Sequence, residues 1–399
     1  MMTEEPTTRD AKVTASPEPV AAFAEVLFGH LPRADQRRWA RSYLQGLLAA
    51  QGRKSIRHLA AAVSASPTAP QSLHQFVNAS PWDWNPVRHE LRRWARERVT
   101  VRAWTLRTAV LPKRGEMSCG VHRRFVPERG RTVNCQLGLG VFASSDGEGL
   151  PVDWSLLLPG RWLEDPRLRG RARIPDPVCH QPLWAHALSL AEAAVAAGPR
   201  VPVVADLGDG PDAGSLAMVL GRRGLDFVVA VPAGLRVLPA DAAPCTGPAA
   251  SGEPGRPAGV LGARDFLYRR SVRSALAVHV GDPARLRPAH TRSALVRLPG
   301  TRQVFRLFTE VHPVEGSRPR VWLTNLTDRR PEQLGDLVRL QYGAHSALAR
   351  LERDYGMLDF EGRSFPGWHH HMTLVSAAYT YDRLAGATAG EPVPMRASA

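Results

Sequence analysis

Asp206 is the carboxylate best placed for chemistry, because it ends the apolar run of "VVADLGDG" and precedes a Gly-rich turn. Open sheets present ligand-binding side chains at the carboxyl ends of their strands, and carboxylate oxygens are preferred ligands of Mg²⁺. Asp209 and Asp212 follow at a spacing similar to that of a calcium loop, but the required glycine and the terminal glutamate are missing. We therefore predict that they solvate the turn and start the next helix.

Three consecutive histidines, His369, His370 and His371, stand in "GWHHHMTL". On a helix, neighbouring side chains point about 100° apart, so the three rings cannot hold one metal ion together. This favours a structural or DNA-contacting role over a metal site.

The charge of the chain indicates a polyanionic partner. Its 399 residues carry a net charge of +15, and Lys12, Lys54 and Lys113 are the only lysines, so the positive charge is almost entirely arginine. Guanidinium groups bind phosphate oxygens in a bidentate way. We predict double-stranded DNA as the partner and expect no membrane association.

The cellular setting is predicted from what the sequence lacks. No apolar signal-peptide core and no run of about 18 apolar residues is present. The four cysteines are irregularly spaced and are interpreted as buried side chains in a reducing compartment. A cytoplasmic location is expected.

The elements that position these residues change in type along the chain. Apolar residues recur at helical spacing over 18–99, where "SIRHLAAAVSASPTAPQSLHQFV" has the spacing of a helix-turn-helix that contains Arg57, His58 and His74. Trp82 and Trp84 follow and are interpreted as packing anchors.

After residue 100, three β-rich stretches precede alternating helices and strands. This order predicts a mixed α/β fold of the RNase H-like type, a mixed sheet with flanking helices over 100–385. A β-rich insertion is expected at about 232–325, with an exposed loop at 232–262 and closing helices at about 332–354 and 368–384. Disordered tails are expected at 1–17 and 386–399.

Several motifs in order carry a family resemblance: "LPKRGEMSCGVHRRF", "NCQLGLGVF", "PVDWSLLLP", "VVAD", "WLTNL" and "GMLDFEGRSFPGWHHHMTL". Together they resemble the DDE transposases of the IS701 insertion-sequence type. The resemblance implies a helical DNA-binding region at 18–99 ahead of a nuclease domain. It also implies three carboxylates that hold two Mg²⁺ ions, which activate the attacking oxygen and stabilise the leaving oxygen of a phosphodiester.

The carboxylate positions of that family are only partly acidic here. The resemblance places the first at Arg107 or Thr108, the second at Asp206 and the third at His345. Glu352 lies on the same predicted helix as His345, but a shift of two turns, about 10 Å, disfavours it as a substitute. Arg107 is expected to pair with Asp206, so Asp206 at most would contact a metal, and no cofactor is expected.

The same resemblance and the basic runs beside the site give candidate DNA-binding residues. They are Lys113, Arg114, Arg123, Arg124, Arg129, Arg131, Arg363, His369 and His370. A homodimer is also possible.

Three functions remain open at this point. The first is a transposase-derived protein that binds DNA but no longer cuts it, either retained for that role or decayed. The second is an active transposase, with Mg²⁺, in which Asp153, Asp165, Glu116 or Glu352 completes the site. The third is a repurposed protein whose old cleft, around Arg107 and His345, takes a small molecule or a protein partner.

Overall fold

The structure is a computed structural model, and it describes residues 17–208, 210, 212–241, 260–269, 274–277, 289–311 and 320–385. The predicted tails, 1–17 and 386–399, fall outside these residues except for Pro17, where the first helix begins. Asp209 also lies outside them.

The first part of the described chain is helical, as its apolar spacing predicts. The helices are α1 (Pro17–Phe28), α2 (Ala34–Ala49), α3 (Ile56–Val63), α4 (Ala69–Asn78) and α5 (Trp84–Arg96). Local caps set two of the starts: Ser55 accepts a hydrogen bond from the amide of His58, and Asp83 accepts one from the amide of Asn85. A side-chain acceptor at this position satisfies an amide that the helix itself leaves unpaired.

The central sheet contains the predicted strands in their predicted sequence order, with one more, β2, between the first two. Its strands are β1 (Ala103–Pro112), β2 (His122–Val126), β3 (Arg131–Ser145), β4 (Glu148–Leu157), β5 (Val203–Asp206) and β6 (Phe227–Val231). β3 pairs antiparallel with β1, β2 and β4, whereas β5 and β6 run parallel to β1. The helices that precede β5 and β6 are α8 (Leu183–Ala196) and α9 (Asp212–Arg222). The mixed α/β, RNase H-like fold is confirmed.

The β-rich segment after β6 extends this sheet. It contains β7 (Arg236–Pro239), β8 (Leu261–Gly262), α10 (Ala263–Arg269), β9 (Ser274–Ala277), β10 (Ala289–Arg297), β11 (Val304–Val311) and β12 (Val321–Thr324). β12 joins the segment to the sheet by antiparallel pairing with β6. The prediction of an exposed loop over 232–262 was wrong at Arg236–Pro239 and Leu261–Gly262, because these residues form β7 and β8, which pair with each other, and Val237 is buried. The predicted domain boundaries stay predictions.

Two long helices close the fold: α11 (Pro331–Arg353) and α12 (Phe365–Leu384). α11 packs across β1, β3, β4 and β5, and α12 is buried between β4 and helices α2, α4 and α5. Two short helices, α6 (Arg161–Glu164) and α7 (Pro166–Ala172), follow β4. One buried cluster continues from the N-terminal helices into the sheet, as where Phe23 packs against both Trp94 and Tyr381.

The cysteine prediction was partly wrong. Cys119 and Cys135 are buried free thiols, but Cys179 is exposed. Cys245 lies outside the described residues.

No helix among the described residues is both long enough and apolar enough to cross a lipid bilayer.

Candidate active site

Arg107 and Asp206 are direct neighbours in the centre of the sheet. β1 and β5 run parallel, and their register places Arg107 opposite Asp206. Residues that are paired in register point to the same face, whereas consecutive residues of a strand alternate between faces. Arg107 therefore shares the face of Asp206, and Thr108 points to the other face.

Asp206 is held by two donors. Its Oδ1 accepts a hydrogen bond of 3.0 Å from the amide of Gly208 and an ion pair from Nη2 of Arg320. Arg320 immediately precedes β12, 114 residues further along the chain. The sequence predicted Arg107 as the partner of this carboxylate and missed Arg320. An arginine before a strand does not indicate by itself which carboxylate it will contact.

The third predicted position lies on α11 beside Arg107. Nη1 of Arg107 donates a hydrogen bond of 3.1 Å to Oε1 of Gln341. One helical turn further on, His345 has a pKa below the ordinary range, because partial burial and the positive charge of Arg107 both disfavour the imidazolium. The structure thus brings Arg107, Asp206 and the 341–345 turn of α11 together on one face of the sheet.

The carboxylates considered as substitutes lie elsewhere. Asp153 is on β4, and Asp206 is on β5. The strands β3 and β1 lie between them, so the two carboxylates are on the order of 14 Å apart at the usual spacing of strands. Asp165 caps α7, and Glu116 lies in the exposed segment after β1. Burial raises the pKa of Glu352, and the positive charge of Arg129, on the turn after β2, opposes this.

The residues at this site do not fit the Mg²⁺ pair that the family resemblance implies. Mg²⁺ needs several hard oxygen ligands, and no group of three metal-ligating side chains occurs among the residues that the structure describes. One carboxylate is present there, it is bonded to a guanidinium, and a second guanidinium stands in register with it.

The Asp153 carboxylate is the acceptor of a buried arginine pair. Nη1 of Arg88 lies 2.7 Å from one carboxylate oxygen and Nη2 of Arg92 lies 3.0 Å from the other. Arg88 also donates to the hydroxyl of Thr373 and to the carbonyl of Trp154. Through these bonds α5 is fixed to both β4 and α12.

His369 is part of the same buried network. Its ring stacks on Trp84 at 4.6 Å between centroids, and Nδ1 accepts a hydrogen bond from Arg88. Burial and the charge of Arg88 hold the pKa of His369 well below its ordinary value.

His370 and His371 each contact a different part of the helical region. The ring of His370 stacks on Trp82 and lies 2.9 Å from the carbonyl oxygens of both Val77 and Trp82. Nδ1 of His371 bonds the hydroxyl of Tyr43 on α2. The prediction that His369 and His370 contact DNA is wrong, because both are buried. Trp82 and Trp84 are confirmed as packing anchors.

Lys113 lies in an open cleft of about 580 Å³ beyond the end of β1. Its ammonium donates a hydrogen bond of 2.8 Å to the carbonyl of Phe360, and burial lowers its pKa to about 8 against the opposing charges of Asp359 and Glu361. Other charged side chains that line the cleft are Arg53, Arg114 and Arg363.

The remaining candidate DNA-binding residues are exposed. Arg123 and Arg124 lie on β2, Arg129 ends the turn that follows, and Arg131 begins β3. Arg131 and Arg114 line a shallow pocket together with Lys113, so the hairpin begins next to the cleft at Lys113.

A family model described as DDE superfamily endonuclease matches residues 26–297, more than half of the chain. The chain belongs to the DDE superfamily of endonucleases. The matched part of this DDE superfamily chain includes Arg107 and Asp206, and it ends before α11.

Among solved structures, the DDE superfamily chain is similar to the cryo-EM structure of a piggyBac transposase synaptic complex with hairpin DNA. The TM-score is 0.41 at 12% sequence identity, and the alignment covers 94% of this chain and 74% of that chain. No curated protein matches it.

Proposed function

We propose that this DDE superfamily chain is a transposase-derived DNA-binding protein of the IS701 type that no longer catalyses Mg²⁺-dependent DNA cleavage and strand transfer. The observation that carries the proposal is the register of β1 and β5, which places Arg107 against Asp206 on one face of the sheet. A carboxylate is needed at that position to share a metal ion with Asp206.

The charges around Asp206 oppose the binding of a metal ion. A guanidinium stays protonated at any ordinary pH, so Arg107 brings a fixed positive charge to the position where a dication must bind. Arg320 already occupies Oδ1 of Asp206. A metal ion would have to displace this ion pair and then bind against the repulsion of the neighbouring arginine, with neither of the other two carboxylates to compensate.

DNA binding is supported by charge and exposure. The chain carries a net charge of +15, and Arg123, Arg124, Arg129 and Arg131 are exposed on one hairpin. The helix-turn-helix candidate consists of α3 and α4, on which Arg57, His58 and His74 are exposed. Exposed cations of this kind neutralise phosphates and release the counterions condensed on DNA.

The loss of cleavage is tested by nicking of supercoiled plasmid with Mg²⁺ or Mn²⁺. We expect no product above the level given by the Asp206→Ala variant, because Asp206 lacks its partner ligands. Metal-dependent nicking or strand transfer that disappears in Asp206→Ala would refute the proposed loss of activity.

Retention of DNA binding is tested by measuring affinity for duplex DNA over a range of salt concentrations. The affinity should fall linearly on a double-logarithmic plot, with a slope close to −0.9 for each phosphate neutralised. Affinity that is insensitive to salt would instead favour a protein partner.

The two other functions have less support. An active enzyme needs substitute carboxylates at Asp206, and Asp153, Asp165, Glu116 and Glu352 lie elsewhere. The small-molecule function was predicted around Arg107 and His345, and the open cleft at Lys113 does not support it, because that cleft lies elsewhere and charged side chains line it, whereas small-molecule sites are mostly apolar. A cytoplasmic location and a homodimer stay predictions.

A further inference from the structure

The basic hairpin, residues 122–135, stands at the edge of the sheet. β2 pairs with the first part of β3, from Arg131 to Cys135, and is the terminal strand of the sheet order. β4 pairs with the later part of β3, from Leu137 onward. The hairpin therefore extends past β4, and its turn closes at Gly130, whose φ of 60° favours glycine.

Phe125 is the unusual side chain of this hairpin. It is 59% exposed, although phenylalanine is usually buried. Arg123, two residues earlier, points to the same face, whereas Arg124 and Arg131 point to the opposite face, Arg131 because it pairs with Val126. Within the part of the chain that the structure describes, the hairpin arginines Arg123, Arg124, Arg129 and Arg131 are exposed and form no ion pair, although the charge of Arg129 also acts on Glu352.

An exposed aromatic ring among exposed cations is the arrangement that binds unpaired bases. Arginines follow the phosphate backbone, and the ring provides a surface on which a base stacks, whatever its identity. Base pairs within an intact duplex are already stacked on each other, so the ring gains little from them. A base without a partner strand can leave the stack at a low cost.

The charge of the hairpin argues against self-association of its edge. An unpaired edge strand with an apolar side chain can pair with a second copy of itself. Pairing of β2 with a second β2 would place Arg123 and Arg124 of both copies against one another, and like charges across a strand pair destabilise it. A bound polyanion neutralises the hairpin arginines, whereas a second copy of the hairpin adds more positive charge.

We propose that the basic hairpin binds DNA where bases are unpaired, at a junction of single and double strands, with Phe125 stacked on an unpaired base. The inference rests on the proposed DNA-binding function and specifies the DNA that this surface prefers. Arg123, on the face of Phe125, contacts a phosphate next to the stacked base, and Arg124, Arg129 and Arg131 contact phosphates further along the DNA.

The test compares two DNA probes with the full-length protein. One is a blunt duplex, and the other is the same duplex with a short single-stranded tail that carries 2-aminopurine, whose fluorescence is quenched when it stacks. Wild type is compared with Phe125→Ala and Phe125→Trp. The matched control is Leu295→Ala, which removes another exposed apolar side chain, on β10.

We expect Phe125→Ala to weaken binding of the tailed probe about tenfold, the loss of one stacked base, and to leave blunt-duplex binding unchanged. Phe125→Trp should retain both the affinity and the quenching, and Leu295→Ala should behave as wild type. These results together support the proposal.

Four results would overturn it. Phe125→Ala could bind both probes as wild type does, or weaken both equally, and either result removes the stacking role while leaving the DNA-binding function in place. A wild-type dimer that dissociates in Phe125→Ala, with unchanged DNA binding, would identify the edge as a self-association surface. Wild type that binds neither probe would refute the DNA-binding function itself and this inference with it.

Discussion

Arg107 changes what the carboxylate beside it can do. Arg107 is in register with Asp206 on the same face of the sheet and donates a hydrogen bond to Gln341 of α11. Arg320 occupies the carboxylate itself. These contacts of Asp206 and Arg107 support the proposed loss of metal binding.

His371 is a second residue whose charge state follows from its surroundings. Burial lowers its pKa to about 3, and the charge of Lys113 acts in the same direction, whereas carbonyl groups of Gly356 and Met357 oppose it. Nε2 lies 3.1 Å from the carbonyl oxygen of Gly356, and Nδ1 lies 3.1 Å from the hydroxyl of Tyr43. A neutral ring makes both hydrogen bonds, since Nε2 donates to the carbonyl of Gly356 and Nδ1 accepts from the hydroxyl of Tyr43.

We predict a pH dependence of stability from His371. In the unfolded chain a histidine titrates near pH 6.5, so below that pH the unfolded state binds a proton that the folded state excludes. The free energy of unfolding should therefore fall as the pH decreases from about 6.5 towards 3, by up to about 1.4 kcal/mol per pH unit for this residue.

The measurement is urea unfolding of wild type and His371→Gln between pH 7 and pH 5. The variant should show a shallower pH dependence, because glutamine does not titrate. His89→Gln replaces an exposed histidine of α5 and should leave the slope as in wild type. Equal slopes in wild type and His371→Gln would contradict the prediction.

At the scale of the elements, α12 joins the helical region to the sheet. Each of its three consecutive histidines contacts a different part of the helical region, and Thr373 reaches Arg88 on α5. The predicted helical periodicity excluded a shared metal ion, but it gave no information about burial. Histidines occur on helix surfaces and in cores alike, and only the packing of α2, α4 and α5 against α12 distinguishes these cases.

The contact between α5 and β4 depends on Asp153. Two guanidiniums with exposed fractions of 3% and 7% share this one carboxylate, so its removal leaves two buried charges without their counterion. Breaking a buried pair in this way costs about 3–5 kcal/mol. We predict a loss of this size in the free energy of unfolding for Asp153→Ala.

Asp146→Ala is the matched control, measured by urea unfolding alongside Asp153→Ala. Asp146 pairs with Arg102 at the surface, where its side chain is 65% exposed, and pairs of this kind contribute less than about 1 kcal/mol. Similar small losses in both variants would show that the arginines of α5 find other partners.

For the whole molecule, the strand order and the closing helices could be predicted from sequence. Closing helices expected at about 332–354 and 368–384 are found at Pro331–Arg353 and Phe365–Leu384, because long apolar periodicity specifies a helix without reference to the rest of the fold. β1, β3 and β4 were likewise evident from β-rich runs between basic or Gly-rich turns.

The features that sequence missed depend on contacts between distant parts of the chain. β2 consists of "HRRFV", and this charged run does not have the alternating pattern that predicts a strand. Only its pairing with β3 shows that it is one. The bond from Arg320 to Asp206 spans 114 residues. The strand β2 presents charges at a surface, and the bond from Arg320 neutralises the charge of Asp206. Neither feature produces a pattern in the local sequence.

Binding of Mn²⁺, measured by the electron paramagnetic resonance signal of the free ion, is the most direct test of the proposed loss of the metal site. Mn²⁺ takes the oxygen ligands that suit Mg²⁺. Wild type and Asp206→Asn should give superimposable titrations, because Arg107 and Arg320 leave Asp206 unable to hold a dication. Saturable binding of Mn²⁺ by wild type that is lost in Asp206→Asn would contradict the account.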